Sequence, residues 1–135
     1  MSARTRAAFS TVAILVALIG WAFWLISDVA FEKTWRVERL EGALAPPGGA
    51  EIWFTGRRNH GRGQPFEVRT ACDVYSGRYS RRFGRLEIRR LQSAGQHCAA
   101  DAPLLASIEA AHSYRYEGRR LLLEAKDGKR LALIP

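Results

Sequence analysis

Residues 114–134 read YRYEGRRLLLEAKDGKRLALI, and this stretch decides the fold class. It divides into three short runs, 114–117, 120–125 and 129–134, rich in aromatic and aliphatic side chains and too short for helices. Gly118 interrupts the first pair. Asp127-Gly128 is a two-residue hairpin signal, because the favoured turn needs left-handed backbone that Asp and Gly tolerate. Tight turns join antiparallel neighbours, so the chain is expected to close as an antiparallel meander.

Upstream, the same grammar repeats. Residues 34–40 (TWRVERL) place Trp35, Val37 and Arg39 on one side and Arg36 and Glu38 on the other. Residues 45–49 (APPGG) form a turn no strand could contain, and 51–55 (EIWFT) are a second strand. After a polar, glycine-rich loop at 56–64, residues 66–72 (FEVRTAC) alternate again. Two further short strands, 78–82 and 85–91, flank Gly84; Leu86, Ile88 and Arg90 lie opposite Glu87, Arg89 and Leu91. A single helix is expected over 101–113. Asp101 is its N-cap, Pro103 is tolerated in its first turn, Leu104, Ile108 and Ala111 lie on one face, and His112 sits at its carbonyl end. The expected class is α+β, mainly antiparallel β: a small curled or barrel-like sheet of about seven or eight strands with one helix.

The N-terminus differs in kind. Ala7 to Ile26 carries no charge in twenty positions, and all 13 acidic residues lie at Asp28 or later. Twenty helical residues reach about 30 Å, the thickness of a bilayer core. Arg4 and Arg6 precede the run, Asp28 and Glu32 follow it, and Trp21 and Trp24 lie near its outer end. This charge bias sets an N-terminus-in orientation. The expected organisation is a cytoplasmic tail at 1–6, a single transmembrane helix at 7–27, a linker at 28–33 and a domain at 34–135 outside the cytoplasm. The competing reading, a cleaved signal peptide, requires a shorter apolar region and a better small-residue site than Asp28-Val29-Ala30 supplies.

Two cysteines in an exported domain of about 100 residues suit a disulfide, since so small a core gains from a staple. The alternative is a pair of buried thiols. A metal centre lacks ligands, because His97, His60 and His112 show no ligand spacing with Cys72 and Cys98. No nucleophile elbow or phosphate-cradling glycine motif is present, and Asp73 and Glu109 have no sequence reason to share a cleft. Neither a catalytic residue nor a cofactor is expected.

The order of features resembles the META domain, the family of the heat-shock protein HslJ. The opening strand Thr34-Trp35-Arg36-Val37 carries this likeness, as does the mid-domain segment Ala71-Cys72-Asp73-Val74-Tyr75-Ser76-Gly77-Arg78-Tyr79. So do Cys98 after the next strand, a helix containing Glu109, and the closing Tyr114-Arg115-Tyr116-Glu117-Gly118-Arg119-Arg120-Leu121-Leu122-Leu123. The sequence departs at Ala71, where the family has Gly, and at Asp73, where it has Asn. The resemblance implies a β-rich domain with one helix, of the kind found in bacterial envelope proteins and associated with stress or drug tolerance, and it carries over no catalytic residues.

Charge is the remaining functional signal. The protein has a net charge of +8, yet Arg57 to Arg90 alone holds ten arginines against Glu67, Asp73 and Glu87. Arg81, Arg82, Arg85 and Arg89 are the candidate anion-facing residues, since arginine forms bidentate contacts with phosphate and carboxylate. A solvated sheet face is the alternative. Outside the cytoplasm the available anions are lipid head groups, lipopolysaccharide phosphates or an acidic envelope protein, not nucleic acid. The leading expectation is a non-enzymatic, membrane-anchored envelope domain facing the periplasm from the inner membrane, a binding or stress-tolerance factor. A carrier for an apolar or amphipathic small molecule, with Trp53, Phe54, Tyr114 and Tyr116 lining its pocket, is the second. A small hydrolase is the third.

Overall fold

The structure is a computed structural model that describes residues 11–22, 31–55, 63–96 and 98–135, with the side chain of Arg90 left aside. Two units follow one another, Met1–Glu32 and Lys33–Pro135. In the first, residues 11–22 are helical and exposed. Among the described residues no helix is long and apolar enough to cross a membrane. Residues 1–10 and 23–30 lie outside the described residues, and with them the tail and both ends of the expected 7–27 segment.

In the second unit the alternating runs close on themselves. Strands β1 (Thr34–Leu40), β2 (Ala50–Phe54), β3 (Gln64–Thr70), β4 (Val74–Arg82), β5 (Arg85–Ser93), β6 (Ala111–Glu117), β7 (Arg120–Ala125) and β8 (Arg130–Ile134) pair in chain order, and β8 returns to β1. Every pairing is antiparallel. An eight-stranded barrel is just wide enough for side chains to fill. Here Trp35, Ile52, Phe54, Phe66, Val68, Tyr79, Leu121, Leu123, Leu131 and Leu133 fill it, all essentially without solvent exposure. Phe54 sits edge-on to Tyr79 at 4.9 Å between ring centroids, and Phe66 stacks on Phe54 at 5.8 Å.

One seam is thin. β5 and β6 share a single register pair, Arg85↔Ser113, beside the bond from Tyr114 N–H to the Gly84 carbonyl at 2.9 Å. The connection between them is a 3-10 turn (Ala99–Asp101) and helix α1 (Ala102–Ala110), which buries Leu104 and Ile108. The helix is shorter than the expected 101–113. Its C-cap Ala111 is already extended and begins β6, so His112 lies on a strand, with its Nδ1 2.9 Å from the Glu124 carbonyl. Asp101 does not cap the helix: its side chain makes no capping bond and turns into the core.

Bulges correct two strand faces. In β1 the register shifts between Val37 and Arg39, leaving Glu38 as an extra residue, so Leu40 faces the core and Arg39 faces out. Across β4 and β5 the register shifts between Ser76 and Arg78, where β5 carries the extra residue. Leu91 is thereby half-buried rather than on the face of Glu87 and Arg89. Gly77 stands opposite this bulge, and a Cβ there would lie 2.8 Å from the Phe66 ring and 3.0 Å from the Arg89 carbonyl. The β7–β8 connection is also not a two-residue turn. Ala125 N–H bonds the Lys129 carbonyl and Gly128 N–H bonds the Ala125 carbonyl, which makes a three-residue loop with left-handed Gly128 at its end.

Candidate functional site

Antiparallel order in a closed meander puts alternate connections at the same end. At one end, here the rim, β1 begins, β8 finishes, and the β2–β3, β4–β5 and β6–β7 connections lie. At the other, the helix end, lie the β1–β2, β3–β4 and β7–β8 connections and α1. Charge divides along this axis. By sequence, the connections that leave from the rim carry Arg57, Arg58, Arg62 and Arg119 and no acid; among the described residues the cation is Arg119. Residues 56–62, including the first three of these and His60, lie outside the described residues; their flanks, Thr55 and Gly63, are at the rim. The helix-end connections hold Glu41, Asp73, Asp101, Glu109 and Asp127 against Lys126 and Lys129.

The β4–β5 hairpin turns at the rim, its tip beside Tyr114 of β6. Its outward face is a ladder of rungs, Arg78↔Arg89, Ser80↔Glu87 and Arg82↔Arg85. Two rungs set arginine directly opposite arginine, an arrangement that destabilises a sheet. Arg89 is relieved by Glu87, 2.8 Å away, whose carboxylate raises the guanidinium pKa. Among the described residues Arg82 and Arg85 have no acidic partner. Arg81 has the inward parity of Tyr79. It is half-buried at the barrel mouth, with Nη1 donating to Tyr114 Oη at 3.4 Å and the guanidinium 5.9 Å from that ring. Of the four candidate arginines, Arg82 and Arg85 thus share the outer tip, Arg81 seals the mouth and Arg89 lies two rungs away.

The turn itself is Phe83-Gly84, with φ of 49° and 78°. Both values are left-handed, the pattern of a type I′ turn, where Asn and Gly are favoured. Phe83 is nevertheless 86% exposed, with Arg82 5.4 Å from its ring. Sequence alternation finds the arginines but passes over Phe83. The available signal is a large aromatic immediately before a turn glycine, between arginines.

The helix end is built differently. Cys72 and Cys98 are joined, with Cα atoms 6.4 Å apart, so the β3–β4 turn is tied to the segment leading into α1. Asp101, 2% exposed, accepts bonds from Tyr75 Oη and Thr70 Oγ1, both at 2.7 Å. Burial, followed by the bond to Asp101 and its charge, pushes the Tyr75 pKa up to about 12. Asp73 accepts from Ser93 Oγ, from Val74 N–H at 2.7 Å and from Gln96 N–H at 3.0 Å. The Ser93 bond, followed by these backbone donors, lowers its pKa against a partial desolvation cost. The turn that lacks the family's Gly and Asn is closed by Thr70, whose Oγ1 accepts from Cys72 and Asp73 N–H.

Of the four aromatics proposed to line a pocket, Trp53 and Phe54 lie on opposite faces of one strand. Phe54 is core, Trp53 is half-exposed on the opposite face of β2, and Tyr114 packs edge-on against Tyr116 at 6.3 Å. A cleft of about 500 Å³ lies outside the barrel, where Arg36, Glu51 and Arg69 are register neighbours beside Gly48 and Gly49.

A closed antiparallel barrel with its connecting helix packed at one end defines a small β-barrel domain of α+β class. The family model of the META domain matches residues 27–135, and the chain belongs to that family. A solved structure, described as the NMR structure of the protein from Burkholderia xenovorans, is similar at a TM-score of 0.61. It shares 12% identity, with 76% of this chain and 81% of that one covered, a likeness of fold alone. No curated protein matches.

Proposed function

We propose that this chain is a non-enzymatic envelope protein, anchored through its N-terminal apolar segment, whose barrel rim faces anionic groups at the outer surface of the inner membrane. The observation that carries the reading is the contrast, among the described residues, between the Arg82↔Arg85 rung at the rim, with Arg119 on the neighbouring connection, and the acid-bearing connections at the helix end. A like-charged rung weakens the hairpin and is explained by an external anion between the two guanidinium groups. A tether raises the local concentration of head-group phosphates, and each basic residue near an anionic surface contributes about 1 kcal/mol.

Two measurements test it. A reporter fused after Pro135 is active only outside the cytoplasm; cytoplasmic activity overturns the topology. The isolated barrel, residues 33–135, binds vesicles containing anionic lipid in a salt-sensitive manner, and the Arg82→Gln, Arg85→Gln, Arg89→Gln variant binds them more weakly. Equal binding by both proteins returns the hairpin to an ordinary solvated face.

A further inference from the structure

We infer that the β4–β5 hairpin is a membrane-inserting finger: Phe83 enters the interfacial layer of an anionic bilayer while Arg82 and Arg85 hold lipid phosphates on either side. The inference rests on the proposed reading that the rim faces anions at the membrane, and it names the residue that crosses into the lipid.

Three observations converge on Phe83. It is an aromatic side chain at 86% exposure, with no barrel role. It occupies a left-handed position, φ 49°, where a bulky side chain is an outlier and Asn or Gly relieves the backbone. A strained residue that buries nothing within its own fold points to burial elsewhere. It is also flanked by Arg82 and Arg85, and Arg82 lies 5.4 Å from its ring. An aromatic wedge between cations suits the bilayer interface, where rings settle at head-group level and guanidinium groups meet phosphate. An acidic protein would satisfy the arginines equally, but offers no general reason for an exposed aromatic ring to sit between them.

Leu44 provides an internal control. It is 89% exposed, yet it lies on the β1–β2 connection at the helix end, away from the rim arginines. If exposure alone drove lipid contact, the two positions would behave alike.

The test uses the full chain in nanodiscs of phosphatidylglycerol or of neutral phosphatidylcholine. A photo-crosslinking benzoylphenylalanine replaces Phe83 in one protein and Leu44 in another. Lipid adducts at position 83 in anionic discs are expected to exceed those at position 44 by about tenfold or more, the ratio that partial burial of a phenylalanine-sized side chain supports. They should fall when Arg82→Gln and Arg85→Gln are added. Separately, Phe83→Asn should melt no lower than the wild type, because asparagine suits the turn, which shows that the ring is not needed for folding. Equal adducts at the two positions, or adducts to a protein rather than to lipid when the same chain is irradiated in its native membranes, overturn the insertion while leaving an anion-facing rim standing. A chain that fails to float with the discs at all overturns the proposed anchoring as well.

Discussion

The barrel's two ends solve opposite problems. At the helix end the carboxylates of one corner are answered: buried Asp101 by Tyr75 and Thr70, and half-buried Asp73 by Ser93 and two backbone donors, with a disulfide across the same corner. At the rim, among the described residues, Arg82 and Arg85 stand opposite one another with no acidic partner, beside an aromatic at a strained tip. The disulfide and the buried carboxylate are concentrated where the short β3–β4 turn meets the long β5–β6 connection, and the short hairpin at the other end carries features that cost stability. A fold that separates the two can change one without losing the other.

The strongest way to break this comparison is at the disulfide. Cys72→Ser opens a closed loop of 26 residues, worth roughly 3 kcal/mol or slightly more in the chain-entropy model. The melting temperature should fall by about 10 °C or more by calorimetry. A drop of a degree or two would mean that α1 docks without its tie. Next is Asp101→Ala, which strips the acceptor from the buried Tyr75 hydroxyl and from Thr70. About 2–3 kcal/mol should be lost in denaturant titration, against a near-neutral result for the exposed Glu109→Ala.

The pH profile then sharpens the contrast. Asp73 has a lowered folded pKa, so its stabilisation is present above the ordinary carboxylate range and lost as pH falls through the folded value. Tyr75 has a raised one, so its contribution is present below about pH 10 and lost as pH climbs towards about 12. Each arm of a stability–pH curve therefore has a contributor at the helix end. Asp73→Ala should flatten the acid arm and Tyr75→Phe the alkaline arm. The smallest effect is expected at the rim: Arg82→Gln with Arg85→Gln should shift stability by within about 0.5 kcal/mol and leave both arms in place. A large shift would show that the rim is part of the structural frame.

Much of this was legible in residue order. Alternation in 34–40 and 66–72, the short apolar runs at 51–55 and 120–125, and the turn signals between them were enough to expect a curled antiparallel sheet with one helix. Two of the misread positions share a cause: each depends on a partner remote in sequence, whereas the β7–β8 loop differs from the expected turn within five residues. Nothing in residues 34–40 announces that Glu38 is extra, since the bulge is defined by register with β8. Asp101 before Pro103 has the local look of an N-cap, and only Tyr75 and Thr70, more than twenty residues upstream, turn it inward. The rim was half legible. The arginine run was plain, but its partition into Arg81 at the mouth, Arg82 and Arg85 at the tip and Arg89 beside Glu87 follows from strand parity and hairpin geometry together.

The pairing of β1 with β8 carries a consequence for how the barrel comes into being. Arg36 meets Ile134 across 98 positions, whereas most neighbouring strands meet through short connections. Residues of β1 therefore wait for those of β8, made much later. Until residues 130–134 arrive, Trp35 and Leu40 have only part of their eventual cover, although the Cys72–Cys98 loop is already complete in the chain. Contacts of such separation are slow to form, and an uncovered edge strand is prone to pair with the wrong chain. A chain truncated before β8 would leave that edge uncovered for good, so loss of these last few residues should appear as aggregation rather than as a smaller folded domain.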